Sequence, residues 1–135
     1  MMEIENTGEQ IVLGLDLGGT KLAAAVFATD DNGGPLQFVS SLENIKYQVM
    51  LDGEAQRGLT PQGRSKLIER AMIGAIRELL KEAGAEKAHA LGVASAGFVE
   101  NGRIVEALNT GMKNYPLKAR LEKELDIETY LYKDS

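Results

Sequence analysis

Apolar positions along the chain fall into short runs and one long helical stripe, and their order predicts most of the architecture. The run IVLGLDL, Ile11 to Leu17, is rich in β-branched residues and leucine and holds one acidic side chain, which predicts a central strand carrying a buried carboxylate. In Lys21 to Thr29 (KLAAAVFAT) the alanines favour helix, but Val26, Phe27 and the short length predict a second strand. Asp31-Asn32-Gly33-Gly34 tolerates positive φ, so Leu36 to Ile45 is expected to complete a meander. Lys46 to Gly58 has no usable period and reads as a connection.

The clearest helical signal follows. Thr60 can cap it, Pro61 suits its first position, and apolar residues at 67, 68, 71, 72, 75, 76, 79, 80 and 83 trace one stripe before Gly84 closes it. Met72 lies inside the stripe and reads as core filler. Ala90 to Ala96 predicts a buried strand ended by Gly97, and Glu100-Asn101-Gly102 a tight turn into an extended piece, Arg103 to Leu108. A second helix is expected over Pro116 to Leu125, with Leu117, Leu121 and Leu125 inward and Lys118, Arg120, Glu122, Lys123 and Glu124 forming a solvated face. Thr129 to Tyr132 closes the pattern as a last strand. The order β-β-β-α-β-α-β predicts an α/β fold with a ribonuclease-H-like mixed five-stranded sheet and helices packed on it.

Composition narrows the function classes. The net charge of -5, without a Lys/Arg-rich run, argues against nucleic acid or a membrane surface as partner and favours small-molecule chemistry. With no cysteine there is no disulfide framework or thiolate metal site, and no apolar stretch is long enough for a signal peptide or membrane span, so a cytoplasmic protein is expected. His89, the single histidine, reads as a loop side chain. Residues 1–10 are polar and patternless and are expected to be a disordered lead-in to one domain over 11–135.

Candidate chemistry concentrates in GLDLGGTK, residues 14–21. It lacks the G-x-G-x-x-G spacing of a dinucleotide site, and Thr20-Lys21 stands in the wrong order for a P-loop. A hairpin remains, in which Gly18 and Gly19 let backbone N–H groups approach phosphate oxygens, Thr20 adds a hydroxyl and Lys21 a charge. Asp16 could hold magnesium through water. A plain β-turn is the alternative, but an unpaired carboxylate buried in an apolar strand costs several kcal/mol, which favours function.

GLDLGGTKLAAAVF resembles the first phosphate motif of the sugar-kinase, actin and heat-shock-chaperone ATPase superfamily, and with Lys21 it most resembles the ROK sugar kinases. Leu91 to Val99 (LGVASAGFV) is similar to that family's G-x-x-x-P-G-x-V segment, and Gly102 to Asn109 followed by Tyr115-Pro116-Leu117 to its substrate loop. The resemblance implies a glucokinase-like enzyme using ATP and Mg2+ to phosphorylate a hexose or related sugar. Gly18, Gly19, Thr20 and Lys21 would hold ATP phosphates, with Asp16 serving the magnesium. Gly97, Asn109 and Lys133 would lie at the sugar, and Asp134 would be the catalytic base. The intact protein is expected to be a homo-oligomer.

The sequence departs from the family pattern at several points. Ala96 stands where proline is usual, and Lys133 replaces the usual Asn, putting a cation that cannot accept a hydrogen bond where a neutral amide is expected. The segment between Asn109 and Pro116 is about a residue short and lacks the usual tryptophan. The second lobe of the family does not follow within 135 residues, so the chain reads as the N-terminal lobe and is expected to be inactive alone. The alternatives are a superfamily ATPase or acetylhexosamine kinase lobe, or a non-catalytic sugar-sensing regulator.

Overall fold

The alternation Ile11, Leu13, Leu15, Leu17 puts one side chain in two on the same face of a strand, and that face is where the core forms. In the computed structural model, which describes residues 10–18, 22–29, 37–45, 60–107 and 112–133, this strand is β1 (Gln10–Leu17). It pairs antiparallel with β2 (Leu22–Thr29), which pairs antiparallel with β3 (Gln37–Ile45). On its other edge β1 runs parallel to β4 (Ala90–Ser95), and β4 runs parallel to β8 (Glu128–Lys133). The sheet order β3-β2-β1-β4-β8 is the ribonuclease-H-like order expected.

Helix α1 (Pro61–Ala83) covers the core face. Thr60 caps it by accepting a hydrogen bond from the Gly63 N–H at 3.1 Å, and Gly84 ends it in the left-handed region at φ 72°. Ile68, Met72, Ile76 and Leu79 are fully buried at spacings of four and three, so a single stripe meets the sheet. Each such side chain contributes about 1.5–3 kcal/mol of apolar burial. Helix α2 (Leu117–Leu125) seats Leu117 and Leu121 on the same core and packs beside β8 and α1. His89 lies between α1 and β4, where its Nδ1 accepts from the Ile11 N–H at 3.2 Å and its own N–H donates to the Ile11 carbonyl at 2.7 Å.

Beyond the end of β4 the chain builds a second, three-stranded antiparallel sheet from β5 (Phe98–Glu100), β6 (Arg103–Ala107) and β7 (Met112–Tyr115). The Glu100-Asn101-Gly102 turn expected from sequence is its first hairpin, with Asn101 and Gly102 both at positive φ as a two-residue connection requires. β6 falls on the extended piece expected over Arg103 to Leu108, whereas β5 and β7 were not expected, because pieces of three or four residues carry too few alternations to register as a period. The expected Asp31–Gly34 turn and the 46–58 connection lie outside the described residues.

The charged face of α2 is only partly a solvated one. Arg120 reaches back to Glu69 of α1 with two hydrogen bonds of 3.0 and 3.1 Å, and the Tyr115 hydroxyl donates to the same carboxylate at 2.6 Å. The Glu69 side chain is 5% exposed, so this group of three ties α1, β7 and α2 together through a buried carboxylate. Burial alone would push Glu69 up. The Arg120 and Tyr115 hydrogen bonds, with the Arg120 and Lys66 charges, outweigh it and hold the carboxyl below its ordinary 4.5. Tyr115, pushed by burial and by the Glu69 carboxylate, rises to about 12.

Glu69→Ala strands both donors. Because Arg120 keeps some contact with water, the expected loss in urea unfolding at neutral pH is about 2–3 kcal/mol, against about 1 kcal/mol for Tyr115→Phe. A carboxyl depressed in the folded state stabilises above its unfolded pKa and loses that contribution as pH falls through the folded value. The gap between wild type and Glu69→Ala is therefore expected to narrow as pH drops below 4.5. A pH-independent gap would mean that the ionised form of Glu69 adds nothing.

Candidate functional site

Three strands end level with one another. Leu17 of β1 pairs in register with Ser95 of β4, and Ser95 with Lys133 of β8. All three run in the same direction, so the turn after β1, the turn after β4 and the end of β8 share one edge of the sheet. Ligands in open α/β sheets gather in the crevice outside such carboxyl ends.

At the first of these ends the hairpin closes on the pair Leu17 and Leu22, leaving residues 18–21 as its connection. Gly18 directly follows β1 and is half-buried. Gly19, Thr20 and Lys21 lie outside the described residues. Asp16 corrects the sequence reading: its side chain is exposed, on the face of β1 opposite Leu15 and Leu17. The buried unpaired carboxylate inferred from the apolar run does not exist, because the run is apolar on one face only.

Asp16 opens instead into a groove of about 460 Å3 on the sheet face away from α1, bordered also by Ser41, Glu43, Phe27 and Tyr132. The groove floor is made of small residues. Gly14 and Gly92 leave room for the Phe27 and Tyr132 rings, each within 3.9 Å of where a Cβ would stand. Two acidic residues border this groove, and among the described residues no three His, Asp or Glu side chains gather as a metal-binding group. The donor set fits magnesium held by one carboxylate, with water and phosphate oxygens supplying the rest, which is the coordination that ion favours.

At the second end, Gly97 turns the chain from β4 into β5 with φ 97°. A Cβ there would stand 2.5 Å from the Glu106 carbonyl oxygen and 2.8 Å from the Ala107 Cα, so the residue that leads into β5 lies backbone against backbone on β6. Gly97, implied by resemblance as a sugar contact, thus has a backbone requirement of its own. Just before it, the buried Ser95 hydroxyl donates to the Ala96 carbonyl at 3.0 Å. Asn109 falls between β6 and β7, outside the described residues.

At the third end, the Lys133 ammonium lies 5.0 Å from the centre of the Phe98 ring, a cation–π contact that joins β8 to β5. Phe98 is 65% exposed. Among the described residues Lys133 enters no ion pair. Asp134 follows it in the chain and lies outside the described residues. The Phe98–Lys133 contact was not expected from sequence, since 35 positions separate the two residues and only the register of β4 with β8 brings them together.

The family model of the ROK family matches residues 12–135. No curated protein sequence matches the chain. Among solved structures, a ROK family glucokinase from Streptomyces griseus, in complex with glucose and AMPPNP, is similar with a TM-score of 0.62 at 24% identity over 90% of this chain and 32% of that one. The chain therefore spans about a third of that glucokinase, and the likeness is one of fold. A Ppx/GppA family protein from Aquifex aeolicus matches with a TM-score of 0.45 and 12% identity, covering 93% of this chain and 35% of that one. Among the described residues, no helix is long and apolar enough to cross a membrane.

The close approach at Gly97 sets a direct test. Gly97→Ala is expected to cost about 2–4 kcal/mol in denaturant unfolding, from the positive φ and the backbone overlap together. An unchanged unfolding midpoint would show that the entry into β5 does not need this close approach to β6.

Proposed function

The chain belongs to the ROK family, and from that premise we propose that it is the N-terminal lobe of an enzyme that phosphorylates a hexose or related sugar with ATP. The observation that carries the reading is the shared sheet edge: the glycine turn after β1 and the Lys133 end of β8 stand one strand apart in register. Strand spacing puts them about 10 Å from each other, the scale on which a phosphoryl donor and its acceptor must meet.

In this reading the backbone N–H groups of Gly18 and Gly19, the Thr20 hydroxyl and the Lys21 ammonium hold the donor phosphates in line. Asp16 would hold magnesium through water. When bound, that ion neutralises charge on the phosphates. Asp134 accepts the proton of the attacking sugar hydroxyl. The new bond forms between that oxygen and the γ-phosphorus as the bond from phosphorus to the ADP oxygen breaks. Little covalent help is needed from the protein beyond positioning and charge neutralisation.

A lobe contributes one wall of a cleft, and closure against a second wall excludes water. The 135-residue chain alone is therefore expected to release no ADP above background with glucose and magnesium-ATP. In the protein that joins this lobe to a second, Asp134→Asn is expected to lower kcat by about 10²–10⁴-fold with sugar KM nearly unchanged. Asp16→Ala is expected to weaken magnesium-ATP instead. If Asp134→Asn kept full turnover, the base assignment would be wrong.

A further inference from the structure

We propose that Phe98 is a stacking platform for the sugar: the open face of its phenyl ring receives the flat, C–H-covered face of a pyranose and so selects a sugar with no axial hydroxyl on that face. The inference rests on the sugar-kinase reading above and narrows its substrate class.

The placement of Phe98 carries it. Phe98 opens β5 directly after Gly97, beyond the carboxyl end of β4, so it stands at the sheet edge where ligands of this architecture gather. Its backbone is held, because it pairs with Glu106 of β6 and the residue before it already lies backbone against backbone on that strand. Its ring is held as well, with Lys133 Nζ over one face at 5.0 Å from the centre. Phe98 is nevertheless 65% exposed, which leaves the opposite face to solvent. Together with Glu100 it makes up the exposed residues of β5, where a polar side chain is the ordinary choice. Single exposed apolar residues are common on protein surfaces. A phenyl ring restrained through both backbone and face, beside the turn that the resemblance gives to the sugar, is instead a rigid apolar surface formed ahead of any ligand.

The chemistry of a bare phenyl face decides the ligand class. It offers neither donor nor acceptor, so a hydroxyl directed at it loses water without gaining a partner. A pyranose chair whose hydroxyls are all equatorial carries them around its rim and presents only C–H bonds on its two faces. Such a ring lies flat on Phe98 and keeps every hydroxyl free for hydrogen bonds elsewhere in the site. An axial hydroxyl on the stacked side holds the two rings apart. Glucose meets the requirement on either face, whereas mannose and galactose carry an axial hydroxyl on one face and allose on the other. Adenine is also flat, but the donor phosphates belong to the turn after β1 in this reading. Phe98 adjoins the Gly97 turn and the Lys133 end of β8, on the acceptor side.

The test is sugar binding and turnover by the full protein carrying this lobe, with glucose, mannose, galactose and allose as probes. Glucose is expected to bind most tightly. Either mannose and galactose or allose should bind about tenfold more weakly, and which of the two groups does so identifies the stacked face. Phe98→Ala is expected to weaken glucose about five- to tenfold, the loss of about half a ring of apolar contact, and to shrink the disadvantage of the penalised epimers by the same factor. The unfolding midpoint and the KM for magnesium-ATP should stay near wild type. Phe98→Tyr keeps the ring and is expected to retain both the affinity and the epimer ratio, which a merely structural role would not link to the aromatic face.

Four outcomes overturn the proposal in different ways. If Phe98→Ala phosphorylates glucose with wild-type affinity and an unchanged epimer ratio, the sugar-kinase reading survives and the platform does not. If Phe98→Ala raises the KM for magnesium-ATP and leaves the sugar KM alone, the ring stacks on the donor base instead. If its turnover falls equally with every sugar and no sugar affinity changes, the ring serves the contact between lobes. If a folded wild-type protein neither binds nor phosphorylates any of the four, the sugar-kinase reading falls for these hexoses and the inference with it.

Discussion

Backbone pairing of β1 along both of its edges, antiparallel to β2 and parallel to β4, sets the position of nearly everything else in this chain. A strand bonded on both sides cannot slip by one residue without turning Ile11, Leu13, Leu15 and Leu17 out of the core. That register puts Leu17 at the sheet edge, Asp16 on the far face and the glycine turn immediately beyond. It also aligns β4 and, through β4, β8. The candidate site is thus a consequence of one strand's hydrophobic alternation carried sideways by hydrogen bonds.

The second sheet is held by a different interaction. β5, β6 and β7 are short, and three-stranded antiparallel pieces of this size need a packed face or an anchor to persist. Ile104, Ala107, Met112 and Tyr115 bury one face of it. Glu69 anchors its last strand by receiving Tyr115 and Arg120 together. A buried carboxylate is a poor source of net stability, but with Tyr115 and Arg120 in place this one joins α1, β7 and α2 through hydrogen bonds. Where the chain enters that sheet, Gly97 meets the backbone of β6 too closely for any Cβ.

Parts of this arrangement were plain in the sequence because they depend on neighbours. Thr60-Pro61 and Gly84 bracket α1 where capping and φ preferences say they should, and the apolar stripe between them is buried as its spacing requires. The strand order followed from the same local patterns. Asp16 was misread for a reason the same pattern contains: the apolar residues of β1 at 11, 13, 15 and 17 are in one phase, while Gly14 and Asp16 are in the other. Period two, rather than overall hydrophobicity, was the deciding signal. Arg120 was read with its neighbours in the charged run of α2 because its partner, Glu69, is 51 residues away.

The sequence by itself determined the strands of the main sheet and both helices, the order that makes a ribonuclease-H-like sheet, and the glycine turn as candidate chemistry, because caps, turns and periodicity act over a few residues; the Lys133-Asp134 pair was named by resemblance. Tertiary structure alone decided that Gly97 meets the backbone of β6, that Glu69 collects Tyr115 and Arg120, and that Lys133 rests on Phe98. Each of those depends on strand register or on packing between distant segments, and neither can be read from residues that are close only in sequence.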